Sequence, residues 1–162
     1  MLTELDIDVL NERLYLSPRL SRAGHASWEP LLRQAADGHD EGWLASELRA
    51  GPFLAEREQR KVHEGGFAWA RVPETAAATL AEGEYNRLYM RALCLLAIAE
   101  GIPRLIVYRA KSVTHPRASS EARIGSSVDP KRLLEDLRTH QGVEAALELP
   151  PGPNSGLSVR LP

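Results

Sequence analysis

Eight residues able to grip an anion fall in two short tracts: Arg87 and Arg91, one helical turn apart, then Arg104, Arg109, Lys111, His115, Arg117 and Arg123. Guanidinium groups donate in a planar fork that fits phosphate and carboxylate oxygens, and ammonium and imidazolium groups add charge. The second tract, "RLIVYRAKSVTHPRASSEARIG", begins as a β-branched run and becomes a loop with Pro, Ser and Gly in no period. Residues 101–132 hold seven Lys/Arg against two Asp/Glu, in a chain whose net charge is −2. Two roles suit such a tract. It can bind a phosphorylated or nucleic-acid ligand, or it can pair with the acidic first half, where residues 1–81 hold nine Lys/Arg against 13 Asp/Glu. The same asymmetry can draw one copy of the chain to another.

Other chemistries find no constellation. His25, His39, His63, His115 and His140 lie far apart and never at metal-ligand spacing, and Cys94 is the single cysteine, so neither a metal nor a cofactor is expected. No phosphate-binding glycine loop and no G-x-S-x-G stands in the chain, and "HEGGF" falls short of H-E-x-x-H. Cys94 sits in "ALCLLAIA", where a thiol reads as a packed core residue rather than a nucleophile. The run "LIVYRAK" ends on Lys111, but Arg109 stands where a nuclease strand of the carboxylate, spacer, lysine type would carry its metal-binding carboxylate. No catalytic residue is named on these grounds.

The elements that must position the basic residues read as follows. The pattern predicts a mostly helical α+β fold with several short helices, one central buried helix at about 84–100, and a small sheet from about 67–72, 105–110 and 156–161. Thr3, Ser27, Asp40 and Asp129 are the expected helix caps, with Pro30 in the first turn after Ser27, Pro130 at the first position after Asp129, and Gly142 closing that last helix. In "EYNRLYMRALCLLAIAEG" the apolar residues cover most of the circumference, so Leu88, Leu95, Leu96 and Ile98 are expected to be buried. Gly83 is read as an interruption before that helix, and the charge run Glu56 to Lys61 as an exposed helical turn or loop. Strand alternation places Phe67, Trp69 and Arg71 on one side of a short strand.

At 162 residues and 43% hydrophobic, the chain is long enough to bury a core without staples. One globular domain is expected over 1–150, followed by a Pro/Gly-rich tail, 151–162, that ends in a strand. A lone strand leaves backbone groups unpaired, so the tail should dock on a sheet edge, either a neighbour's or its own, the 105–110 strand. Leu157, Val159 and Leu161 share one face of it and are the candidate assembly contacts. The acidic start "MLTELDIDVL" lacks the basic segment of a signal peptide, and the longest apolar run is too short for a membrane span, so a cytoplasmic location and no membrane partner are expected.

Together these features favour a non-enzymatic structural or assembly protein acting through protein–protein contacts, as a homo-oligomer or with partner chains, such as a subunit of a phage-like particle or connector. Nucleic acid is a less favoured partner. The alternative is an enzyme or effector that binds a phosphorylated or nucleic-acid ligand through the 104–123 segment.

Overall fold

Local hydrogen-bonding chemistry sets where three of the helices start. Ser21 Oγ accepts from the amide of Gly24 at 3.0 Å, Asp40 Oδ1 from that of Trp43 at 2.8 Å, and Asp129 Oδ1 from that of Arg132 at 3.0 Å. In a computed structural model, which describes residues 1–61, 65–141 and 156–162, the helices that follow these caps are α2 (Arg22–Gly38), α3 (Glu41–Ala50) and α6 (Pro130–Thr139). The remaining helices are α1 (Leu2–Leu10), α4 (Ala76–Ala99) and the single turn α5 (Ala118–Glu121). The strands are β1 (Arg57–Lys61), β2 (Phe67–Arg71), β3 (Leu105–Arg109), β4 (Ser127–Val128) and β5 (Leu157–Arg160). The fold is mixed α+β and mostly helical, as its periodicities predict. No helix among the described residues is long and apolar enough to cross a membrane.

The chain divides into two compact units. The first takes residues 1–15 and 82–162, and so holds both chain ends. Its antiparallel sheet has the order β4-β3-β5, with Leu105 opposite Val128 and Val107 opposite Val159. Its core joins Met90, Cys94 and Ala97 of α4, Leu105 and Val107 of β3, Leu133, Leu134 and Leu137 of α6, and Leu157 and Val159 of β5. Gly156 directly precedes the last strand at φ +58, and its carbonyl accepts from the amides of Ala110 and Lys111. A Cβ there would stand 2.4 Å from the Lys111 carbonyl oxygen, so only glycine fits.

The second unit is residues 16–81. Its helices α2 and α3 pack together around buried Trp28, Leu31, Leu32, Leu44 and Leu48. Ser21 donates its hydroxyl to Pro52 O at 2.6 Å and its amide to Phe53 O at 2.8 Å, which draws the start of α2 onto the 52–53 backbone. Gly24 makes that approach feasible, because a Cβ there would lie 2.0 Å from Phe53 O. The antiparallel ribbon β1–β2 completes the unit.

Several expectations change. The 67–71 strand does not join the 105–109 and 157–160 strands; it pairs with Arg57–Lys61, so the charge run is a strand, not a helical turn or loop. The first strand, Arg57–Lys61, is wetted along nearly its whole length and carries no apolar alternation by which sequence could reveal it. Helix α2 starts at Ser21 rather than Ser27 and carries Pro30 inside it, and α1 starts at Leu2 with no side-chain cap from Thr3. Helix α4 runs through Gly83 from Ala76, because one glycine costs only about 1 kcal/mol of helix propensity. Leu88 is buried and Leu95 and Ile98 pack partly against the core, but Leu96 is 42% exposed. The 1–150 span divides at residues 15 and 82, and the final strand belongs to the first unit rather than standing apart as a tail. Gly142, His63 and the segment 142–155 lie outside the described residues.

Candidate functional site

The eight basic residues singled out by type and spacing part into four settings. Arg87 and Arg91 lie on α4 with no solvent exposure. Arg87 donates to Glu84 Oε2 at 2.6 Å and reaches Asp8 Oδ2 at 3.3 Å, while Arg91 donates to Glu4 Oε2 and Asp8 Oδ2, each at 2.6 Å. Arg138 of α6 holds Glu4 from its other side at 2.5 Å, and Gln141 donates to Asp8 at 3.2 Å. The acidic face of α1 therefore occupies the arginine site. Burial acts to raise the Glu4 carboxyl, but the hydrogen bonds and charges of Arg138 and Arg91 outweigh it and hold the group below its ordinary value. For these two arginines, pairing with the acidic first half is what the structure contains, and an external anion would have to displace carboxylates to reach them.

Arg109 and Lys111 have surface partners, Glu121 and Glu82 respectively. His115 and Arg117 are exposed in the segment between β3 and α5. Arg104 and Arg123 line one cavity together with Arg132, Ser126, Ser127 and Asp129. Sequence reading missed Arg132 and the two serines, since the serines come near Arg104 only through the β3–β4 pairing and Arg132 only through the helix that follows β4. Cys94 is buried in the core, and burial, with the charges of Glu4 and Asp129, pushes its thiol up to about 12, far from a nucleophilic thiolate.

The residues named as assembly contacts need correction. Leu157 and Val159 are buried in the first unit's own core, and Leu161 packs against that core. The edge on which the last strand docks is β3 of the same chain, with Arg109 opposite Leu157. Those side chains are not offered to a neighbour.

Among the exposed large apolar side chains of the described residues, which include Leu10, Leu16, Leu96 and Ile124, the two aromatic ones stand together on the β1–β2 ribbon. Directly opposed residues of an antiparallel pair project to the same side. One side of the ribbon thus carries the pairs Lys61 and Phe67, Gln59 and Trp69, and Arg57 and Arg71. All six are exposed, Phe67 at 71% and Trp69 at 60%. The other side holds the ribbon to its unit: Glu58 accepts from Arg19 at 2.5 Å and from Arg60 at 2.7 Å, and the ribbon's root is tied by Ala55 N to Arg19 O and Val72 N to Glu56 O. Among the described residues, the outer side is therefore an aromatic strip bordered by three cations and no carboxylate. Sequence alone signals half of it, through the alternation of "FAWAR". No family model, curated protein or solved structure matches this chain.

Proposed function

We propose that this protein is a non-enzymatic assembly protein whose β1–β2 ribbon docks on an acidic surface of a second copy. The observation that carries this reading is the exposure of Phe67 and Trp69 side by side with Arg57, Lys61 and Arg71. An aromatic side chain carries roughly 150–250 Å² of surface, so with 71% and 60% of it still exposed on Phe67 and Trp69, burial at about 25 cal/mol per Å² gives each roughly 2–4 kcal/mol to gain from a partner. Aromatic residues flanked by arginine are the composition of interface hot spots.

Charge argues for the occupant. The ribbon strands hold four Lys/Arg against one Asp/Glu, which leaves 16 Lys/Arg against 21 Asp/Glu over the rest of the chain. A second copy therefore presents the acid that the ribbon's outer side lacks; exposed Asp37 near the end of α2, Asp40 capping α3 and Glu41 at its start form one acidic stretch. Ribbon against ribbon would set like charges face to face, which disfavours a symmetric pair. Ribbon against acidic surface is a head-to-tail contact, and head-to-tail contacts close into rings or extend as filaments. That is the geometry required of a subunit in a particle or connector.

Mass photometry and light scattering over a concentration series test the proposal. The full-length protein should form discrete higher species that dissociate as salt rises. The Phe67→Ser/Trp69→Ser variant, altered only at exposed positions, should remain monomeric. A wild type that is monomeric at high micromolar concentration overturns the reading. Tight binding of a single-stranded oligonucleotide, lost in the same variant, would reassign the ribbon to nucleic acid, since exposed aromatics between cations also suit base stacking.

A further inference from the structure

The cavity in the first unit has a volume of about 190 Å³ and is walled by Arg104, Arg123 and Arg132 with Ser126 and Ser127. We propose that it is a binding site for a phosphoryl group, as free phosphate or a small phosphate monoester. This site is separate from the ribbon and does not depend on the assembly reading.

Three features carry the inference. The first is that arginines from three places in the chain line one cavity: the residue before β3, the turn after α5 and the first turn of α6. Guanidinium forks match the paired oxygens of a phosphoryl group, and the Ser127 hydroxyl adds a neutral donor. The second is the state of Asp129, the one carboxylate in the wall. Its Oδ1 is engaged as the cap of α6, and the amide hydrogen bond from Arg132 holds the group below its ordinary value, so it stays ionised. The wall then keeps a net charge of two positives at neutral pH, and one carboxylate oxygen is already committed to the backbone.

The third feature is that the backbone fixes the wall in advance. Gly125 N donates to Val107 O at 2.9 Å, Val107 N to Ser126 O at 2.9 Å, and Ser126 N to Arg123 O at 3.0 Å. Ser126 Oγ donates to the same Arg123 carbonyl at 2.6 Å. The turn bearing Arg123 is thereby pinned to the strand that follows Arg104, so ordering that turn costs little on binding. Size sets the ligand class. The cavity falls below the roughly 300–1,000 Å³ of sites that enclose drug-sized ligands, so it suits a phosphoryl group with a short substituent.

The test is isothermal titration of the full-length protein at fixed ionic strength, with inorganic phosphate in one arm and glycerol phosphate in the other. Saturable binding is expected in at least one arm. A tighter fit for the ester identifies a monoester ligand, and a tighter fit for phosphate identifies the free ion. Arg104→Gln and Arg132→Gln alter exposed side chains and should leave the melting temperature close to wild type, while each weakens binding about tenfold or more. No saturable binding in either arm up to about ten millimolar overturns the proposal, as does unchanged affinity in both variants.

Discussion

Arg87 and Arg91 show how much a buried charge depends on its surroundings. Each sits at zero exposure, and each is matched by carboxylates that are also buried: Glu4, Asp8 and Glu84. Removing one member of such a set leaves its partner charged and unpaired away from water, which costs roughly 3–5 kcal/mol. Asp8, which touches both arginines, should show this most clearly, and chemical denaturation of Asp8→Ala would measure it. Glu4 adds a pH signature. Its carboxyl is held below its ordinary 4.5, so its contribution is complete above that pH and is lost as pH falls through the depressed folded value. Denaturation curves from pH 7 to 3 should therefore decline in the acid range, and Glu4→Gln should start lower at pH 7 and decline less steeply. Parallel declines in the two proteins would separate Glu4 from the acid response. Sequence offered pairing with the acidic first half as one of two roles for these arginines, but neither the burial nor the partners were legible, because the spacing of Arg87 and Arg91 is equally that of an exposed pair, and their carboxylate partners on α1 lie about eighty positions away.

At the scale of elements, what sequence reveals is what is decided locally. Asp40 and Asp129 announce their helices because a cap and the amide it serves are three residues apart. The strand over 105–109 announces itself through its β-branched run. The ribbon's first strand, "REQRK", does not, since a strand wetted on both sides needs no apolar alternation. Helix α4 lies between these cases. Its apolar residues nearly encircle it, yet the buried stripe is Met90, Cys94 and Ala97, spaced by four and three. Leu96 stands roughly 200° around the helix from Cys94 at 3.6 residues per turn, and so turns to water. Two substitutions separate these faces. Leu88→Ala, at 1% exposure, should cost about 2–5 kcal/mol, whereas Leu96→Ala should change stability by about half a kcal/mol or less. Equal losses in urea denaturation would mean that the burial pattern of α4 is misassigned.

For the whole molecule, the decisive long-range contact is the return of the C-terminal strand to the unit that also holds the N-terminal helix. The four residue pairs from Ile106 opposite Arg160 to Arg109 opposite Leu157 make β3 the middle strand of its sheet. Leu157 and Val159 supply two of the core side chains, and Asn86 of α4 donates to Leu157 O at 2.9 Å. Deleting residues 156–162 would remove both side chains and bare a full edge of β3. Each lost aliphatic residue carries a cost of roughly 2–4 kcal/mol, comparable together to the roughly 5–15 kcal/mol by which a domain is usually stable. The truncated chain is therefore expected to lose cooperative thermal unfolding, bind hydrophobic dyes, and associate nonspecifically through the open edge. That differs from the effect expected at the ribbon, where Phe67→Ser/Trp69→Ser should leave melting unchanged and alter only assembly. A truncated protein that still melts cooperatively near the wild-type temperature would show that the last strand is dispensable to the core. It would also return Leu157, Val159 and Leu161 to the surface as contacts for a partner.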